Sequence, residues 1–504
     1  MPPVNNPGQR PRALVAAISL ALAASGAHAA TFSVTSSDDA GPGTLRQAIL
    51  DANSQAGPHV IEMSAISGDT ITLASGLPSL YFEDVDLQGS QVTLSGDSSH
   101  GCLDVRYGAL SVADITITDC NRSGIYSYAS DLEVSGSTIT SNYNVNGGGI
   151  HATSSDLTIS DTTISDNNTN DEGGGVWVDG DLTIFDSVIT NNSADGRGGG
   201  VYARAYGSGA SVHIERTLVS GNEADYAGGL SIIGFKTASL IDSQVSDNTA
   251  AGSSGGIDFY SGVYKAQVTI SGSTLSGNSS ESGAGAGFVA MFSYYGSTEA
   301  TVRNTTISGN SGGSLGGLGI GTYGGAGDSV FIDGATVTGN EGDDIGGLDV
   351  YSNAGGSIGF EIRNSIIAGN TSAGGEDDLG MSYGSVDMNV NYTLLGTPPS
   401  ATNFILDAVS QTLAGEDPVL GPLAANGGPT PTHLPGDSGA GVNVIPSGTS
   451  GCGDDFDIDQ RGEPRPGSES GRCDLGSVQL QDVPVEDEIF QDRFEEAESP
   501  WRAV

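Results

Sequence analysis

The chain has 504 residues, 78 of them Gly, and a formal net charge of −44. Gly at about twice its usual share, among much Ser, Thr, Asn and Asp, argues against ordinary globular domains; a field of that sign repels nucleic acid and anionic membranes. Disorder is excluded as well, because Val, Ile and Leu recur at regular spacing among the polar residues.

At the N-terminus Arg10 and Arg12 precede "ALVAAISLALAASG", an apolar run too short to span a bilayer comfortably, and "AHA" at Ala27 to Ala29 puts small residues at cleavage positions. The pattern predicts a signal peptide over 1–29, an exported mature chain and no transmembrane segment after processing. Residues 30–60 form an N-terminal cap. In "GPGTLRQAILDANS", Thr44 is placed to cap a helix over 44–54, with Gln47 as its capping-box partner and Leu45, Ala48, Ile49 and Ala52 as an apolar stripe. This helix is expected to lie across one end of the repeat region.

Residues 61–410 are repeats. Short copies of the type "TTISDN" end at Asn142, Asn167, Asn192, Asn222, Asn248, Asn278, Asn310, Asn340 and Asn370, spaced 25 to 32 residues apart. A degenerate copy, "ITITDC", puts Cys120 in the Asn place, and paired glycines follow most of the asparagines. Within a copy the apolar period is two, giving three short strands that cannot bury their inward faces alone. Stacked copies can, with each strand pairing to its equivalent one coil away. The fold expected is all-β, a parallel β-helix of about a dozen coils and roughly 60 Å, at about 4.8 Å per coil. Each Asn is expected at a left-handed corner, its amide bonded to its neighbours along the axis, so the column builds shape rather than chemistry. The glycines suit a second tight corner.

Cys102, Cys120, Cys452 and Cys473 suit an oxidising compartment. Of three possible pairings, Cys102–Cys120 and Cys452–Cys473 are favoured, because each pair lies within one region.

Here the chain resembles a known class. "TFSVTSSDDAGPGTLRQAILDAN" is similar to the opening of secreted bacterial right-handed β-helix proteins, and the "TISxN…GGG[IV]" repeats resemble polymorphic outer-membrane-protein repeats, though without their regular Phe before the Asn. "DPVLGPLAANGGPTPTHLPGDSGAGVN", with "DIDQRGEPRP" and "CDLGSVQL", resembles the choice-of-anchor type Q ending, with "GDSGAG" where that ending usually has "GSPAID". The resemblance spans about residues 31 to 480. It implies a right-handed solenoid with an irregular C-terminal cap over 411–480 and display at the outer-membrane surface or release; beyond it, 481–504 reads from its residues as an acidic tail.

The chemical motifs are weak. "GDSGAG" at Gly436 lacks the rest of a serine-protease signature, "GIGTYG" at Gly319 lacks a βαβ setting, and "GGAGDSV" at Gly324 falls one residue short of a calcium nonapeptide. "DDFDIDQRG" sets Asp455, Asp457 and Asp459 at EF-hand spacing, which admits calcium, but Gln460 stands where Gly is needed and Pro466 where the bidentate Glu belongs. No other cofactor is implied. Asp179, Asp258 and Asp349 are outward carboxylates on different coils, and nothing in the sequence selects a catalytic pair. The second residue after the glycines points outward, which aligns Tyr126, His151, Trp177 and Tyr202 on successive coils. Sugars stack on such strips. The reading is therefore an adhesin-like protein contacting cell-surface or matrix glycans through Tyr126, Trp177 and Tyr202 without catalysis. The alternative is a polysaccharide lyase or glycoside hydrolase on the same fold.

Overall fold

A computed structural model describes residues 29–204, 209–261, 265–292, 298–323, 328–352, 359–383, 387–397, 412–467 and 470–481. The signal-like segment, the acidic tail and parts of the glycine motifs at Gly319 and Gly324 lie outside these. The architecture is a parallel β-solenoid. A 12-stranded sheet and a 10-stranded sheet form two of its walls, and a bent 26-stranded sheet forms the rest.

One coil shows why the repeat folds as it does. Val176 and Val178 point inward after the glycines, then Leu182 and Ile184, then Ile189, and all five are fully buried. Each pairs in register with its equivalent on the next coil: Val176 with Val201, Leu182 with Val212, Ile189 with Val219. The core is thus a set of aliphatic columns running the length of the molecule. Such columns suit β-branched side chains, which pack well on a pleated surface.

Two corners per coil turn through a single left-handed residue. Asp161, Asp186 and Asp242 make the first, with φ between 47° and 51°. Asp166, Asn191 and Asp247 make the second, each at φ 56°, with Gly at the equivalent places 277, 309, 339 and 369. The left-handed residue is the one before each ladder Asn, not the Asn itself. The Asn side chain has to point into the coil to reach its neighbours, so the residue preceding it takes the strained turn.

The asparagines are buried and saturated. Asn142 Nδ2 donates to Asn167 Oδ1 at 3.0 Å and to Ile117 O at 3.1 Å, while its backbone N–H donates to the same Oδ1 at 3.0 Å. This set repeats through Asn192, Asn222, Asn248, Asn278, Asn310 and Asn340 to Asn370. At one end the N–H of Cys120 donates to Asn142 Oδ1 as the Asn N–H groups do to their neighbours, and its sulfur is bonded to Cys102. At the other end Asp378 replaces an Asn. Its Oδ1 accepts from the Asn370 amide, and its Oδ2 accepts from the N–H and hydroxyl of Thr397. A second, hydroxyl ladder runs parallel to it: Ser137 N–H donates to Thr162 Oγ1, and Thr162 N–H to Ser187 Oγ. Paired amides and hydroxyls of this kind remove the penalty that unpaired buried polar groups would carry.

Helix α1 (Leu45–Ala52) closes the N-terminal end and buries Leu45, Ala48, Ile49 and Ala52. Thr44 Oγ1 accepts from Gln47 N–H, but the Gln47 side chain turns to Asp51 instead of completing a capping box. The C-terminal region is irregular and carries the Cys452–Cys473 disulfide. It runs back along one flank of the late coils. Gln460 Nε2 donates to Thr274 Oγ1 and Thr430 Oγ1, Thr306 Oγ1 donates to Gln460 Oε1, and His433 bonds Ser308.

Candidate functional site

The outer face of the 12-stranded sheet carries the sequence-predicted residues. Tyr126, His151, Trp177 and Tyr202 stand in register on consecutive strands. Their rings touch in sequence, with centroids 5.2, 4.5 and 6.4 Å apart. All four side chains point away from the core, because Ile150, Val176 and Val201 occupy the inward positions beside them.

Outward does not mean exposed. Trp177 and Tyr202 are each only 4% exposed, which corrects the expectation of a water-facing strip. The cause is the loop before each strand, which folds back over it. Gly147 and Gly173, at φ 62° and 72°, lie so close to the column that a Cβ there would sit 2.7 Å from His151 Cβ and 2.8 Å from Trp177 Cβ. Glu172, in the same loop, accepts from Trp177 Nε1 at 3.5 Å, and the Arg204 guanidinium covers the indole at 4.6 Å. His151 is pinned likewise: Nδ1 meets Asn146 O and Nε2 meets Thr153 Oγ1, both at 2.8 Å. Burial lowers its pKa, so it is held neutral.

The column reaches water at Tyr126. Its ring is half-buried and lies between two guanidiniums, Arg106 at 5.4 Å and Arg122 at 5.2 Å. Arg106 is fixed by a two-point bond to Asp104, Nε to Oδ1 at 2.9 Å and Nη2 to Oδ2 at 3.0 Å, and also lies over Tyr81 at 5.8 Å. The hydrogen bond to Asp104 raises the Arg106 pKa, keeping the pair ionic. A pocket of about 100 Å³, lined by Leu77, Cys102, Asp104, Arg122 and Tyr126 among others, opens beside the ring. Sequence reasoning missed Asp104, Arg106 and Arg122. The signal was present, since Asp104 precedes Tyr126 in the same register column, but its coil lacks the Asn–glycine signature that marks the others.

The other candidates are dispersed. Asp258 and Asp349 are buried on the same outward column, with Phe288 and Gly319 between them, which separates them by roughly 14 Å at the coil repeat. Asp179 stands on the neighbouring column. Burial raises the Asp258 pKa, and Arg197 lies 3.6 Å from its carboxylate. Asp455 bonds Arg363, Asp459 bonds Arg461, and Asp457 faces solvent, so the EF-hand-like spacing does not bring the three together. No group of three or more His, Cys, Asp or Glu is arranged to hold a metal among the described residues.

The chain is similar to the family described as right handed beta helix region, over residues 75–217 and, overlapping these, 108–294. With the parallel registers above, this makes the fold a right-handed parallel β-helix. No curated protein matches the chain.

Proposed function

We propose that this is an exported, adhesin-like β-helix protein that holds neutral glycans at its surface without transforming them. The reading is carried by Tyr126: a half-buried ring between the guanidiniums of Arg106 and Arg122, with Arg106 held by Asp104, at the mouth of a small pocket. Sugars stack their apolar faces on such rings and direct their hydroxyls to planar charged groups at the edge. Asp104 balances Arg106 and Arg122 adds one positive charge beside the ring, but the net −44 of the chain opposes the approach of an acidic ligand, so a neutral ligand is the one proposed. Export agrees with the signal-like N-terminus and the two disulfides. No described helix is long and apolar enough to cross a membrane.

The enzymatic alternative draws on Asp258, whose raised pKa suits a general acid. A glycosidase needs a second carboxylate within about 5–9.5 Å, and the in-register neighbours of Asp258 are Ser231 and Phe288.

Retention of the mature protein on immobilised neutral glycans, with analysis of released sugars, tests the reading. Tyr126→Ala should lose most of the retention with unchanged circular dichroism and no sugar products. Steady release of shortened or unsaturated sugars would give the case to the enzyme.

A further inference from the structure

A second aromatic surface borders the Tyr126 site. Phe82 and Tyr107 occupy the corner that comes after the 12-stranded sheet on the two coils nearest the N-terminal end. Their rings stack at 5.0 Å with 13° between planes, and Tyr128 meets Tyr107 edge-on at 5.4 Å. Phe82 is 71% exposed and Tyr107 48%. Both are left-handed, at φ 60° and 64°, a conformation that bulky side chains rarely adopt and that stores strain. The corner does not require them. One and two coils on, it is closed by Ala129 and Ser154 at φ 50° and 51°. Two rings are therefore held in strained backbone, facing water, where small residues suffice for the fold.

The patch is continuous with the candidate site. Tyr81 precedes Phe82, pairs with Arg106 across the strands, and lies under its guanidinium. Tyr128 pairs with Arg106 on the other side. Rings and planar charged groups thus extend from Tyr126 across Arg106 to the corner. A second copy of the chain is a poor occupant, since both partners would carry −44.

We infer that this corner holds the continuing residues of a β-linked neutral polysaccharide, a flat chain whose sugars expose apolar faces, of which Tyr126 holds one end. This rests on the proposed glycan contact and adds its linkage class and length. A β-linked chain with equatorial bonds lies as a ribbon and can meet several rings at once; a coiled α-linked chain cannot track them.

Binding of cellohexaose, chitohexaose and maltohexaose to the intact mature protein, measured by calorimetry, tests this. The parent should bind one or both β-linked hexamers and prefer them to maltohexaose. The double variant Phe82→Ser, Tyr107→Ser should keep the parent's circular dichroism and melting midpoint, and lose at least tenfold in affinity for the β-linked hexamer. The conservative exchange Phe82→Tyr, Tyr107→Phe should restore it. Equal affinity of parent and double Ser variant would overturn the corner site while leaving the Tyr126 contact standing. Preference for maltohexaose would overturn the linkage class. Failure of the parent to bind any hexamer, or retention of a protein ligand in their place, would overturn both the inference and the reading beneath it.

Discussion

Trp177 and Phe82 are both aromatic, both on the outside of the same solenoid, and stand in opposite surroundings: 4% against 71% exposed. The flank shows the same split. On the short strand before each Asn, the outward Thr138 and Thr163 are half-exposed, whereas Thr274 and Thr306, in the equivalent position, are fully buried and bonded to Pro431, Gln460 and Ser477 of the C-terminal region. A periodic sequence thus fixes which way a side chain points, while burial depends on what else the chain lays over it. A loop with a left-handed glycine covers Trp177, and the C-terminal region covers Thr306.

Removing a covered aromatic should have the largest effect. Trp177→Ala leaves a void between His151, Tyr202 and the folded-back loop, and should cost about 3–4 kcal/mol in denaturant unfolding. A loss under about 0.5 kcal/mol would mean that the loop does not cover the ring in solution.

A matched pair sharpens the contrast on the flank. Thr306→Val deletes a hydroxyl bonded to Gln460 Oε1 at 2.7 Å and to Ser477 at 3.0 Å, leaving buried partners unpaired. It should cost about 2 kcal/mol. Thr163→Val, the same chemistry on the open part of the flank, should stay within about 0.5 kcal/mol. Equal costs would remove the distinction between covered and uncovered coils.

The smallest effect concerns pH. His433 Nδ1 donates to Gly421 O, and Nε2 lies 2.7 Å from Ser308 Oγ. Burial lowers its folded pKa. The unfolded chain therefore takes up this proton first. The stabilisation is complete above about pH 6.5, the unfolded value, and is lost as pH falls through and below it, by at most about 1.4 kcal/mol per pH unit. His151 is shifted the same way. The measurement is thus the difference in melting midpoint between parent and His433→Gln from pH 7 to 5, which should shrink as the solution acidifies. A constant difference would contradict a neutral His433 at the flank.

Much of the fold could be read directly from the chain. The spacing of Asn142 to Asn370, the period-two aliphatics and the Leu45–Ala52 stripe each correspond to a feature of the structure, because each is a local pattern repeated in register. The Asp378 terminus of the ladder was not legible, since it lies eight residues after Asn370 and outside the repeat. Nor was the hydroxyl ladder of Ser137, Thr162 and Ser187, because Ser and Thr are common throughout. Of the aromatic column, the outward direction of Tyr126, Trp177 and Tyr202 was legible, but not their exposure. The corner rings Phe82 and Tyr107 escaped notice because they precede the regular repeats.

The sequence by itself determined the coil: its period, its inward columns and its capping helix, while the left-handed turn fell one residue before the Asn expected to make it. These depend on residues close in the chain and on identical neighbours one coil away. The tertiary structure alone decided which outward surface meets water. That choice rests on contacts between segments far apart in sequence, such as Gln460 with Thr274 and Thr306, and on the path of loops whose glycines permit several turns but select none. It is why Phe82 and Tyr107 are left accessible and Tyr126 half-buried, while Trp177, one coil beyond His151, is sealed.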